Sequence, residues 1–119
     1  KTSNGDLATT VGAPTESLDT AKQFVSDYQA GGYKEPYAAY GAYSYDAANA
    51  IINALKTSLA SASDAKSARQ ATIDAMSKVS FDGATGKVAF DQYGDTTTKV
   101  LTVYKVDGGK WVAEKTGSG

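Results

Sequence analysis

The chain has 119 residues, enough for one ordinary domain or a piece of a larger one, and a second complete core does not fit. Twelve basic and thirteen acidic residues leave a formal charge of −1, so no global field recruits nucleic acid or an anionic membrane surface. Cysteine and histidine are both absent, which removes thiol nucleophiles, imidazole bases and the commonest transition-metal ligands together, and no cofactor or metal is expected.

At the N-terminus, KTSNGDLATT lacks the basic-then-apolar layout of a signal peptide. No apolar run approaches the roughly 20 residues that span a bilayer, so the chain is read as mature or truncated. Leu7 to Val11 (LATTV) is a short β-prone run between the turn formers Asn4-Gly5-Asp6 and Gly12-Ala13-Pro14. Thr15 or Ser17 is then expected to cap a helix in which Leu18, Ala21, Val25 and Tyr28 share a face. Gly31-Gly32 ends it. The segment Gly31 to Pro36 (GGYKEP) is the best linker in the sequence, and reads equally as a surface loop or as a crossing between lobes.

The element around which the chain is organised follows. From Tyr45 onward Ala48, Ile51, Ile52, Leu55 and Leu59 recur at spacings of three and four, which predicts a helix over about residues 40–58 with one apolar stripe. The rest of the chain is expected to cover that stripe. After the polar joint LASASD, Ser63 or Asp64 is placed to cap a second helix bearing Ala65, Ala68, Thr72, Ile73, Met76 and Val79, and the short joint predicts an αα-hairpin. Beyond Val79 the period changes. Lys87 to Phe90, then Val100, Thr102, Tyr104 and Val106, then Trp111-Val112 read as strands with turns at Gly94-Asp95 and Asp107 to Gly109, the last two forming a hairpin. The tail Lys115 to Gly119 has nothing to bury and is expected to fray.

Tyrosine occurs eight times, and Tyr33, Tyr37, Tyr40, Tyr43 and Tyr45 fall within thirteen residues; such side chains suit a pocket wall or ordinary packing around a helix start. Asp82-Gly83-Ala84-Thr85-Gly86-Lys87 lacks the glycine spacing of a phosphate-binding loop and has Val88 where Ser or Thr is required. Asp82 and Asp95 stand beside glycines and Asp91 three residues before one, where aspartate serves turns, and Ser44 and Lys56 have no nucleophile context. An enzyme active site within this chain is therefore not expected.

The order PYAAYGAYSYDAANAIINAL (Pro36 to Leu55), FDGATGKVAFDQYGD (Phe81 to Asp95) and VLTVYKVDGGKWV (Val100 to Val112) resembles the C-terminal third of bacterial extracellular solute-binding proteins. More narrowly, it is similar to the leucine/isoleucine/valine-binding type that serves ABC importers. The resemblance implies an α/β chain taken from a two-lobed clamshell. Residues 1–36 would give one strand, one helix and a hinge crossing to the second lobe. Residues 37–119 would give an αα-hairpin and a C-terminal β-hairpin to the first. It implies a non-enzymatic protein that captures a branched-chain or related amino acid and delivers it to an ABC permease. The parent would work in the periplasm or on the outer face of the cytoplasmic membrane, either free or lipid-anchored. Tyr40, Ala42 and Tyr43 would map to the cleft wall. Because family members are about three times as long, apolar stripes with nothing opposite them, and hence self-association, are expected. The rival expectation is a stand-alone structural or protein-interaction domain.

Overall fold

A computed structural model describes residues 3–60 and 62–118. Strand β1 (Leu7–Val11) leads through two 3₁₀ turns, Thr15–Ser17 and Asp19–Ala21, into helix α1 (Lys22–Ala30). The long helix α2 (Gly41–Ser58) and α3 (Ala65–Met76) follow, then strands β2 (Ser80–Gly83), β3 (Gly86–Ala89), β4 (Val100–Asp107) and β5 (Lys110–Ser118). This is the expected α/β chain, with the αα-hairpin and the C-terminal hairpin in place.

Among the described residues two sheets form, both antiparallel. One has the order β1-β4-β5, with Leu7 opposite Lys105 and Val11 opposite Leu101; the other is the β2-β3 hairpin. Sequence reading missed β2, a strand of only four residues, and did not reveal that β1 pairs with a strand some ninety residues later. The tail is a correction. Val100 to Val103 pair with Lys115 to Ser118, so ladder hydrogen bonds hold a segment that buries no side chain. Gly119 lies outside the described residues, as does Ser61 in the joint after α2.

The expected caps at Thr15 and Ser17 are also corrected. Among the described residues no side chain caps the 3₁₀ turns or α1; Ser17 donates its hydroxyl to the Pro14 carbonyl at 2.7 Å instead. Asp64 does cap α3. Its carboxylate accepts from the Ser67 N–H at 2.7 Å while the Ser67 hydroxyl accepts from the Asp64 N–H, a reciprocal box. The Ser67 N–H, and after it the Ser67 hydroxyl, which also donates to the carboxylate at 2.9 Å, favour the ionised form and hold the Asp64 carboxyl below its ordinary range.

The largest correction concerns α2. Its buried residues are Ala42, Asp46, Ala50, Ala54 and Ser58, spaced by four along one side. The stripe that was expected to be covered lies on the opposite side, with Ile51, Ile52 and Leu59 each about half exposed or more. The small residues are what this chain packs against: Ala50 and Ala54 meet Val79, flanked by Ala75, Met76, Phe81, Val88 and Phe90. Small side chains let α3 approach closely, and the Ser58 and Thr72 hydroxyls bond across the pair at 2.8 Å. A helix that is apolar on two opposite sides is built to be buried on both.

The packing is correspondingly open. The radius of gyration is 17.7 Å, and the principal extents are 62 × 36 × 26 Å. A compact chain of this length has a radius near 13.5 Å. The accessible surface of 8505 Å² is about 2400 Å² more than a compact 12.3 kDa monomer exposes. Apolar patches stand without partners, as expected for part of a larger fold.

Candidate functional site

The first turn of α2 sits against the end of β1, and the two are tied by one side chain. The Tyr43 hydroxyl accepts from the Ala13 N–H at 2.8 Å and donates to the Ala13 carbonyl at 2.9 Å, satisfying a backbone pair that the ladder has just released. Burial pushes the Tyr43 phenol above its ordinary pKa, partly offset by the Ala13 bond. Gly12 makes the approach possible. Its φ is +83°, and a Cβ there would fall on the Tyr43 ring and hydroxyl. The Gly12 N–H donates to the Val100 carbonyl at 2.7 Å, and its own carbonyl accepts from the fully buried Thr102 hydroxyl at 2.7 Å.

Beside this tie lies a notch of about 280 Å³. Tyr40 and Tyr43 line it together with Tyr104 from β4, the segment Thr10 to Glu16, and Ala38 and Ala39. Ala38 holds φ +52°, a left-handed conformation that costs a non-glycine residue about 1 kcal/mol. Of the three residues expected in a cleft wall, Tyr40 is 60% exposed, Tyr43 is half-buried, and Ala42 is completely buried and does not line the notch. Glu16, in the 3₁₀ turn after β1, stands on its rim, where Tyr37 donates to its carboxylate at 2.8 Å. That bond, with smaller contributions from burial and from the Glu16 charge, raises the Tyr37 pKa.

The other tyrosines of the cluster point elsewhere. Tyr33, Tyr37 and Tyr45 gather with Phe24 and Tyr28 of α1, ring centroids 4.8–5.9 Å apart. The exposed loop Gly31 to Pro36 is fastened by the Tyr28 hydroxyl donating to the Glu35 carbonyl at 2.9 Å.

One turn into α2, Asp46 is almost wholly buried, and its carboxylate accepts from the Ala84 N–H at 2.9 Å, the Thr85 N–H at 2.7 Å and the Thr85 hydroxyl at 2.6 Å. It thereby caps the turn of the β2-β3 hairpin. Gly83 is required because a Cβ there would come within 2.6 Å of that carboxylate. An aspartate in a row of alanines was the available signal for this role. A second cavity, of about 580 Å³, opens between the hairpin, Ala47 and Ala50 of α2, and the Val11–Leu101 end of the sheet.

Asp91 and Asp82 make local contacts in their turns. Asp91 accepts from the Tyr93 and Asp95 N–H groups at 2.9 and 3.0 Å, and Asp82 lies 3.5 Å from Lys87. Among the described residues no acidic cluster could hold a metal ion, and no helix is long and apolar enough to cross a membrane.

The profile described as "receptor family ligand binding region" matches residues 6–109. Among solved structures, a leucine binding protein of Thermotoga maritima is similar over 98% of this chain, with 27% identity and a TM-score of 0.73. An ABC transporter substrate-binding protein of Desulfitobacterium hafniense in complex with Leu is similar over 93%, at 21% identity and a TM-score of 0.67. A solute-binding protein of an R. palustris ABC transporter, in complex with benzoate, is similar over 96%, at 21% and 0.65. The chain spans only 30–31% of the length of each. Comparison with curated protein sequences finds no match.

Proposed function

The chain belongs to the receptor ligand-binding-region family, and from that premise we propose that it is a fragment of a substrate-binding protein whose parent captures a branched-chain or related amino acid for an ABC importer. The observation that carries this reading is the similarity of 98% of the chain to the fold of a leucine binding protein. The unburied side of α2 supports it, because Ile51, Ile52 and Leu59 stand where a larger fold has surface to cover them. The parent works outside the cytoplasmic membrane, binds without chemical conversion, and hands its ligand to the permease.

Tyr40 and Tyr43 form the part of the cleft wall that this chain contributes, and Ala42 supports them from beneath. The lobes of the parent divide this chain into residues 1–36 and 37–119. Here the two stretches are joined by the β1-β4 ladder and by Phe24 packed on Tyr37 and Tyr45. Lobe movement about a ligand then twists that ladder.

A stand-alone interaction domain is the alternative, and the similarity of 98% of the chain to 31% of one longer protein speaks against it. The test is a thermal-shift panel on the parent protein. Leucine, isoleucine or valine raising the Tm in a dose-dependent way supports the reading, because a ligand bound only by the native state stabilises it. Capture of a macromolecule with no response to any small molecule contradicts it.

A further inference from the structure

We propose that Asn4 is a site of spontaneous covalent modification, converted to aspartate and isoaspartate through attack by the Gly5 amide nitrogen, and that opening of the β1-β4 ladder sets the rate. Neither the parent's ligand nor its importer bears on this site, which is set by the turn that leads into β1.

The chemistry needs an asparagine followed by a residue that leaves its own amide nitrogen unshielded, and glycine, with no Cβ, does so best. The chain has three asparagines, and only Asn4 precedes a glycine. Asn49 and Asn53 precede alanines inside α2, where the following N–H groups are held in the helix ladder. In the reaction the Gly5 nitrogen, its proton removed by solvent base, bonds to the side-chain carbonyl carbon of Asn4 and closes a cyclic imide. The C–N bond of the side-chain amide breaks, and that nitrogen takes up a proton and leaves as ammonia. Water then opens the imide at either carbonyl, giving aspartate or, with the backbone rerouted through the side chain, isoaspartate. No oxidant or reductant takes part.

The fold restrains this step, but weakly. Asn4 and Gly5 occupy an exposed turn closed by the Asp6 N–H donating to the Ser3 carbonyl at 3.0 Å, with Gly5 at φ +93° and open space where a Cβ would stand. The Gly5 N–H, the group that must lose its proton, donates to the Val106 carbonyl at 2.9 Å, and the Val106 N–H donates to the Asp6 carbonyl at 2.9 Å. While those bonds last, the nucleophile is engaged. Little holds them in place. Strand β1 is an edge strand of five residues with no buried side chain, and among the described residues it pairs with β4 alone. A segment that buries so little opens locally at small cost, and each opening frees the Gly5 nitrogen. Isoaspartate inserts an extra backbone carbon ahead of the Leu7-Lys105 pair, and either product adds a negative charge beside Asp6, at the end of the ladder where Asp107 closes β4. The modified strand therefore pairs less well than the original.

The experiment ages this chain in mildly alkaline buffer and follows the tryptic peptide Thr2 to Lys22, whose only asparagine is Asn4. The readouts are the mass gained when NH2 is replaced by OH, and isoaspartate content. Product is expected at Asn4 while Asn49 and Asn53 stay unchanged, and Asn4→Gln is expected to abolish it. The folded chain is expected to react about tenfold more slowly than the same chain in guanidinium chloride, because the reaction tracks the open population. Thr9→Gly, at an exposed position in the middle of β1, is expected to speed the folded reaction about fivefold, with hydrogen exchange at the Gly5 and Val106 amides rising in step. Equal rates in the folded and unfolded chain, or a T9G chain whose exchange accelerates while its deamidation does not, overturns the control by β1. No product at Asn4 even in the unfolded chain, or equal product at Asn49 and Asn53 in the folded one, overturns the site itself.

Discussion

Tyr43 and Ala13 exchange two hydrogen bonds across thirty residues of sequence, the phenol taking the place that a neighbouring strand holds in a ladder. Tyr43→Phe keeps the ring but leaves both backbone groups of Ala13 unpaired. A loss of about 1–3 kcal/mol is expected, read from urea unfolding of the two chains. A midpoint equal to that of the parent sequence would mean that solvent satisfies Ala13 equally well.

The same residue sets an alkaline limit. Because burial raises the folded-state pKa of Tyr43 above the ordinary value of 10.0, its contribution is complete below that value and is lost as pH rises through the raised one. Absorbance of ionised tyrosine should show late-titrating phenols at Tyr37 and Tyr43, one of which disappears in Tyr43→Phe while the Tyr37 one remains, with the Tyr43 contribution to the unfolding midpoint lost in that alkaline window. A phenol titrating at its ordinary position would contradict the buried tie.

Asp46 and the Ala84-Thr85 turn make the strongest single tie between helix and hairpin. Asp46→Ala strands two backbone N–H groups and a hydroxyl in a buried place, and should destabilise by about 3 kcal/mol or more. Asp46→Asn keeps one acceptor oxygen and should fall between. Midpoints for both variants equal to that of the unsubstituted chain would show that the turn holds itself.

Gly12 should tolerate nothing larger. Gly12→Ala places a Cβ on the Tyr43 hydroxyl at a φ of +83°, and a cost of about 1–3 kcal/mol is expected from strain and displacement of the ring. Combining it with Tyr43→Phe should cost less than the sum of the two, because both act on one contact. Additive costs in the double-variant cycle would separate them.

The uncovered side of α2 should drive association. The surplus of about 2400 Å² exceeds the roughly 1,600 Å² that a standard interface buries in total. Sedimentation equilibrium should give a mass above 12.3 kDa that rises with concentration. Replacing Ile51 and Ile52 by glutamate should return it to the single-chain mass. A single-chain mass at every concentration would contradict the expectation.

Much of the element order was legible, because period and punctuation are local. Apolar spacing located α2, Asp64 announced α3, and Asp107-Gly108-Gly109 announced the β4-β5 turn. Which face of α2 finds a partner is not local information. Periodicity identified the Ile51-Ile52-Leu59 stripe as one face, but the partner for that face is not in this chain, and the alanine face opposite packs instead. Strand β2 was too short to signal, and β5 persists to Ser118 through backbone bonds that leave no apolar trace. Tyr40 and Tyr43 were singled out by resemblance, and the structure puts both at one notch. The Tyr43–Ala13 tie, the Asp46 cap and Glu16 on the rim depend on contacts between distant residues and needed coordinates.

The most direct measurement is hydrogen exchange of the parent protein with and without leucine, read over the peptides of this chain. Slowed exchange is expected at Tyr40 to Ser44 and at Gly12 to Glu16, with the exposed end of α3 unchanged. Leucine binding that leaves both of those segments exchanging at their free rates would contradict the claim that this part of the chain forms the ligand site.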